Sequence, residues 1–212
     1  LVKYSGQQTP DTNTRMSAHI KEGLKYISAN HLVLLLLIIG LTTTLLAMPF
    51  RFLLPVFVVD VYGKGPEALG LLNSIIGVGS LAGSIFIASL GKWRRGLLLI
   101  LGSFMSCFGL FLVAAFPFYI AAVFIMIILG LGDAIRRTLN QTLILEIVED
   151  QYRGRVMSVF MMIFGLMPLG VVPGGLAIEL LGGQAAIAIL AVGLLIVSGL
   201  LLITQKQLRE FQ

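Results

Sequence analysis

Residues 130–147, GLGDAIRRTLNQTLILEI, lie inside a long apolar run and still carry five charged or amide side chains. At about 100° per residue on a helix, these side chains fall within roughly 140° of one another. They are Asp133, Arg136, Arg137, Asn140 and Gln141. Ionisable groups at bilayer depth are costly, so they normally face a protein interior or a water-filled cavity. The stretch therefore predicts a helix whose polar face lines a pathway through a membrane domain.

The composition is that of an integral membrane protein. Of the 212 residues, 58% are hydrophobic and 12% are charged, whereas a soluble domain carries about 25% charge; the mean hydropathy is +0.99. The apolar runs have the length of helices rather than of alternating barrel strands, so we expect an all-α fold. The single Cys107 provides neither a disulfide framework nor a thiolate metal site. We expect no cofactor and no nucleic-acid partner, because basic loops on one side of a membrane explain the pI near 9.6.

Six apolar segments are long enough to cross a bilayer, which takes about 20 residues. They span about 31–59, 67–90, 96–116, 118–147, 156–181 and 185–204, within a membrane region at 31–206. Turn signals separate them, including those at 149–154 and 182–183. Pro49 and Pro55 predict a kink in the first segment, and Pro168 and Pro173 predict a bend in the fifth.

The flanking residues are polar. Residues 1–15 predict a cytoplasmic linker, and residues 207–212 predict a short cytoplasmic tail. Residues 16–30 predict an amphipathic helix at the membrane surface, because Ile20, Leu24 and Ile27 recur at helical spacing. Because the chain opens on Leu1 without a signal-peptide pattern, we expect it to be a piece of a longer chain.

The lysines and arginines outside the apolar segments predict the orientation. One side holds Lys64 alone. The other side holds Lys3, Arg15, Lys21, Lys25, Lys92, Arg94, Arg95, Arg153, Arg155, Lys206 and Arg209. Cytoplasmic loops carry the excess of Lys and Arg, so both termini are expected in the cytoplasm. An even number of crossings also requires both termini to lie on the same side of the membrane.

The charged face has two interpretations. It either forms a cavity wall that binds an anionic or polar substrate, or it is a structural ion pair that fixes helix packing. Proton exchange at Asp133 is a further possibility that the adjacent arginines oppose. In the first segment, Arg51 and Thr44 share one helical face. Arg51 is expected either to face the same cavity or to extend to the outer membrane surface.

Other segments carry weaker signals, each with two interpretations. In the second segment a stripe of Asn73, Gly77, Ser80 and Ser84 favours close helix packing over substrate contact. The methionines of the fifth segment favour packing over ligand binding. The loops around 91–96 and 149–155 either set the topology or form a charge latch that locks one conformation. The latch residues are Arg94, Arg95, Glu149, Asp150, Arg153 and Arg155.

Signals for an enzyme are absent from the sequence. His19 and His31 both lie at or before the first segment, so no histidine is available for intramembrane catalysis or haem ligation. The sequence contains no P-loop, which excludes an ATP-driven pump domain within these residues.

Three stretches resemble the C-terminal half of major facilitator superfamily exporters, in particular the enterobactin-exporter and macrolide-efflux group. They are KEGLKYI (21–27), ANHLVLLLLIIGLTTTLLAMPFRFLLPVFVVDVYG (29–63) and LNQTLILEIVEDQYRGRVMSVFMMIFGLMPLG (139–170). The resemblance implies half of a twelve-helix fold, with the six segments as helices seven to twelve in two inverted three-helix repeats. It implies an N-terminal six-helix half as partner. It also implies that the first and fourth segments line the central cavity.

The resemblance further implies a secondary active efflux transporter in the bacterial inner membrane, working by alternating access and proton antiport. The adjacent arginines favour a small anionic or amphipathic substrate. The alternatives are a uniporter or importer, or a non-transporting membrane receptor or scaffold with the same fold.

Overall fold

The structure, a computed structural model, describes residues 16–91 and 94–204, with side chains described over 22–91 and 94–200. Over these ranges the secondary structure is helical, so the predicted all-α fold is confirmed. The helices in chain order are α1 (Met16–Ala29), α2 (His31–Leu46), α3 (Met48–Asp60), α4 (Pro66–Leu90), α5 (Arg95–Ala115), α6 (Tyr119–Ile147), α7 (Asp150–Gly165), α8 (Pro168–Leu181) and α9 (Gly183–Thr204). The predicted linker 1–15 and tail 207–212 lie outside the described residues.

Six stretches of the described chain are long and apolar enough to cross a membrane, which confirms the predicted number of spans. They are His31–Asp60, Pro66–Leu90, Arg95–Ala115, Tyr119–Ile147, Asp150–Leu181 and Gly183–Leu200. Several exceed the roughly 20 residues that a bilayer needs, so tilt or bending is required.

Prolines divide two of these spans into pairs of helices. The first breaks at Ala47, between α2 and α3, where Pro49 occupies the first turn of the new helix. The fifth breaks at 166–167, directly before Pro168, which begins α8 and has no N–H with which to continue the hydrogen bonds of α7. Pro55 and Pro173 lie inside α3 and α8.

The predicted turn at 149–154 is too long. Helix α7 begins at Asp150, six residues before the predicted start of the fifth segment. Negative charge stabilises the first turn of a helix, and the carboxylate of Asp150 also pairs with Arg153 one turn later at 2.6 Å. Charged residues and Gly154 were interpreted as turn signals, although here they belong to a helix end. Likewise α9 begins at Gly183 rather than at 185, since the break is confined to Gly182 at φ 84°.

Helix α6 is the centre of the packing, with α4 and α5 against it along much of its length. Glycines permit this approach: a Cβ at Gly79 of α4 would overlap the carbonyl of Ile127, and one at Gly130 of α6 would overlap the carbonyl of Ile76. Helices pack closely in membranes where small residues face each other. The small residues therefore fix α6 against α4.

A polar layer separates two apolar clusters. On α6, one cluster takes Ile125, Met126 and Leu129, and the other takes Ile135 and Leu139. Asp133 lies between these sets, 14 residues from each end of the 29-residue helix. The charged side chains are therefore near the middle of the span.

Helix α1 docks on the start of α7. The rings of Tyr26 and Tyr152 stack with centroids 4.3 Å apart, and Ile27 is buried. Leu24, predicted on the same apolar face, is half exposed. The apolar face of α1 is thus divided between the protein and its surroundings.

Candidate functional site

The carboxylate of Asp133 contacts three arginines. Arg136, one turn along the same helix, pairs with Oδ1. Arg51 of α3 donates to Oδ2 at 3.3 Å, and Arg137 lies 3.6 Å from the same oxygen. After the break at Ala47, α3 begins at Met48, so Arg51 lies in its first turn. One carboxylate thus faces three guanidinium groups, which leaves a formal excess of two positive charges within the described cluster.

Burial divides the three arginines into two kinds. The side chain of Arg136 is 5% exposed, whereas those of Arg51 and Arg137 are 39% and 46% exposed. Arg136 also donates to the hydroxyl of Thr43 on α2, so it ties α6 to α2. Arg136 therefore has a structural position, while Arg51 and Arg137 are available to a ligand.

A polar cavity of about 370 Å³ lies beside this cluster, between α3, α4 and α6. Arg51, Asp133 and Arg137 line one wall together with Thr138. Helix α4 contributes to the lining with the stripe predicted from the sequence, formed by Asn73, Gly77, Ser80 and Ser84. A volume of this order suits a small organic molecule, since ligand pockets typically enclose about 300–1,000 Å³.

The cavity changes the interpretation of α4. The sequence favoured close packing for Asn73, Ser80 and Ser84, yet these residues line the cavity. Packing is carried out by the neighbouring pair Gly79 and Gly83, against carbonyls of α6. The two stripes lie on adjacent faces of one helix, so the helix packs with one and presents the other to the cavity.

The predicted polar face of α6 also divides into two directions. Arg136 and Asn140 turn towards α2, where Asn140 is buried beside Gly40. Asp133 and Arg137 turn towards α3 and α4. The face is too wide for a single cavity, because α6 lies between α2 and α4. Asn140 is consequently a packing residue, and its Oδ1 has no hydrogen-bond partner among the described residues.

Two other predicted residues lie away from the polar cavity. Gln141 is half buried and is not one of the residues that line it. Thr44 is fully buried, and the neighbouring Thr43 contacts Arg136 in its place. Arg136 and Thr43, with Ser103 and Ser198, line a separate internal cavity of about 30 Å³. That cavity has space for one or two water molecules.

The predicted latch residues lie near the C-terminal end of α6, and two of them pair with acidic residues that were not predicted. Arg95 pairs with Glu146 at the end of α6, and Arg155 pairs with Glu22 of α1 at 2.7 Å. Arg153 pairs with Asp150 within α7 and donates to the carbonyl of Leu145 at 3.0 Å.

The remaining latch residues, Arg94 and Glu149, each directly precede a helix. Arg94 precedes α5 in a left-handed conformation, at φ 39°. Glu149 precedes α7, and its N–H donates to the hydroxyl of Tyr26. The partners Glu22 and Glu146 were not predicted, because only the fold brings α1 and the end of α6 to this place. The available signal was the position of Glu146 in the last turn of α6; Glu22 lies in the middle of α1.

Metal binding has no support in the described residues: no group of three or more His, Cys, Asp or Glu lies close enough together to hold an ion. The methionines Met157, Met161 and Met162 line an open groove on α7. Met161 and Met162 are more than half exposed, so packing within the described chain does not account for them.

The comparisons with known proteins agree with this architecture. The family profile described as Major Facilitator Superfamily matches residues 2–170, which include both arginine-bearing helices α3 and α6. A comparison with curated proteins finds no match.

Proposed function

The chain belongs to the major facilitator superfamily of membrane transporters, and from this membership we propose that it forms the C-terminal half of a secondary active exporter. The exporter moves a small anionic or amphipathic compound by alternating access. It resides in the bacterial inner membrane with both termini of the chain in the cytoplasm, as the Lys and Arg bias favours.

The observation that carries this proposal is the pair of half-exposed arginines near mid-membrane. Arg51 and Arg137 line a polar cavity and share one oxygen of Asp133. Charged groups at this depth do not face lipid, because their exposure to hydrocarbon is costly. They face water and substrate in a transport pathway. The excess positive charge favours an anionic substrate.

The same exposure supports an N-terminal six-helix half as partner. Half-exposed guanidiniums need a second wall that excludes lipid from the cavity. The spans that are least buried within the chain are Pro66–Leu90 and Asp150–Leu181. Exposed apolar residues such as Leu81 and Leu169 on these spans suit contact with a second helical half.

Proton antiport is the coupling that the family resemblance implies. Asp133 is already the counter-charge of three guanidinium groups. We therefore place the coupling carboxylate in the N-terminal half.

Transport by proteoliposomes tests the proposal. The transporter that contains this chain is reconstituted with and without an imposed pH gradient, and the flux of a panel of anionic and neutral compounds is measured. We expect flux of at least one anionic compound that depends on the gradient. Flux that does not depend on the gradient would favour a uniporter. Flux only towards the cytoplasmic side would favour an importer, and absence of flux for the whole panel would favour a receptor or scaffold.

A further inference from the structure

The polar cavity contains two complementary sets of hydrogen-bonding groups. One side carries guanidinium donors, and the other carries mainly oxygen acceptors. Their arrangement limits the chemistry of a ligand more narrowly than net charge does, because each set needs its own counterpart on the ligand.

The guanidinium groups of Arg51 and Arg137 can bind a further anion in addition to Asp133. Arg51 and Arg137 approach the same carboxylate oxygen at 3.3 and 3.6 Å. A guanidinium forms its strongest contacts with two oxygens of one oxyanion in parallel. Sharing a single oxygen at these distances leaves both side chains able to take a second oxyanion. Asp133 keeps its buried partner Arg136 in that case.

The hydrogen bonds that the α4 side chains already donate determine which groups they can still offer to a ligand. The hydroxyl of Ser80 donates to the carbonyl of Gly130 at 3.2 Å, and that of Ser84 donates to the carbonyl of Ser80 at 2.9 Å. Nδ2 of Asn73 donates to the carbonyl of Leu69 at 3.1 Å. A hydroxyl has one donor and two acceptor sites, so Ser80 and Ser84 present only acceptors to the cavity. Asn73 presents its carbonyl oxygen and the second N–H of its amide.

We propose that this cavity binds an organic oxyanion that also carries hydroxyl or N–H donors. The oxyanion lies between Arg51 and Arg137, and the donors reach Asn73, Ser80 and Ser84 on the α4 side of the cavity. An apolar drug satisfies neither wall, and a simple fatty anion satisfies only one. The inference deepens the proposed function and rests on it for its physiological meaning, although its test is binding alone.

The experiment measures binding to the purified transporter in detergent by isothermal titration calorimetry. Two matched pairs of probes differ mainly in hydroxyl groups: gluconate against hexanoate, and glucose 6-phosphate against hexyl phosphate. Glucose serves as the neutral probe. We expect at least one hydroxylated anion to bind about tenfold or more tightly than both its deoxy counterpart and glucose. Absence of discrimination in both pairs would overturn the proposal.

Variants assign the two walls. Arg51→Gln and Arg137→Gln are expected to weaken binding of the hydroxylated anion by about tenfold or more. Ser80→Ala is expected to weaken the hydroxylated anion and leave its deoxy counterpart unchanged. The controls are Lys64→Gln, which removes one positive charge from an exposed loop, and Ser74→Ala, which removes a hydroxyl of α4 with a similar backbone bond outside the cavity. Equal losses in the controls and the cavity variants would contradict the assignment.

A second measurement uses the unchanged protein. Phenylglyoxal modifies accessible arginines, and mass spectrometry locates the adducts. We expect Arg51 and Arg137 to react, buried Arg136 not to react, and the bound hydroxylated anion to protect the first two. Lack of protection would overturn the site. Discriminating binding without flux would reject only the transport function, and flux without discrimination would reject only this ligand class.

Discussion

Replacing Asp133 with Asn removes the only carboxylate that contacts Arg136 among the described residues, and it should destabilise the fold. Arg136 is 5% exposed, so its charge would remain buried without compensation. Breaking a buried ion pair by removing one partner costs about 3–5 kcal/mol. For a domain of this size the melting temperature falls by about 2–4 °C per kcal/mol, so a loss of about 6–20 °C is expected.

Cys107, the single cysteine of these 212 residues, provides the assay once any cysteine of the N-terminal half is replaced. Cys107 is buried, so a thiol-reactive fluorophore reports its exposure as the protein unfolds in detergent. The matched variant is Arg137→Gln, whose half-exposed ion pair contributes about 0–1 kcal/mol and whose expected loss is therefore small. The double variant Asp133→Asn with Arg136→Gln removes both charges of the buried pair. It should recover a large part of the loss.

A melting temperature for Asp133→Asn within about 2 °C of the parent, or a loss no larger than that of Arg137→Gln, would refute this reasoning. A double variant that is less stable than Asp133→Asn alone would also refute it. Either result would mean that water or another group compensates Arg136.

Three further predictions concern other parts of the fold. Gly79→Ala should cost about 1–3 kcal/mol because its methyl overlaps a carbonyl of α6, whereas Gly70→Ala, which meets open space, should leave the melting temperature unchanged; comparable losses would argue against close packing of α4. Burial raises the pKa of Tyr62 to about 12. The tyrosinate absorbance that disappears in Tyr62→Phe should therefore titrate near pH 12. The stability that this residue contributes is present below pH 10 and is lost as the pH rises through 12. A titration near pH 10 would show an exposed ring. Glu22→Gln removes an exposed ion pair of α1, so the free energy of unfolding should change by less than about 1 kcal/mol while tryptic cleavage at Lys25 increases; unchanged cleavage would show that the pair does not hold α1.

The architecture was predictable because it depends on local signals. Apolar runs of helical length define the spans, and prolines mark where the first and fifth spans divide. The fourth span was recognisable as a special element, because Asp133 and its arginines are costly inside a membrane. Arg51 lies 3.3 Å from Asp133 and lines the same cavity, while its role in binding stays a prediction. Membership of the major facilitator superfamily supports the fold but does not assign these roles.

Helical periodicity alone could not predict which residues of the site pack against neighbouring helices and which line the cavity. Arg136 and Arg137 are adjacent in sequence, yet one is buried against Thr43 and the other lines the cavity. Ser80 and Gly79 are also adjacent, and only the position of α6 decides which one packs. Periodicity places residues on a face, but the neighbouring helices determine what that face meets.

Transport by the Arg137→Gln variant tests the central claim most directly. The anion that binds best is loaded into proteoliposomes, and its gradient-driven flux is compared for the parent, Arg137→Gln and Lys64→Gln. If Arg137 binds the substrate, the parent and Lys64→Gln should show equal flux. Arg137→Gln should lose about tenfold or more of the flux while its membrane insertion and melting temperature stay normal. Parental flux in Arg137→Gln would contradict the account and return these charges to a structural role.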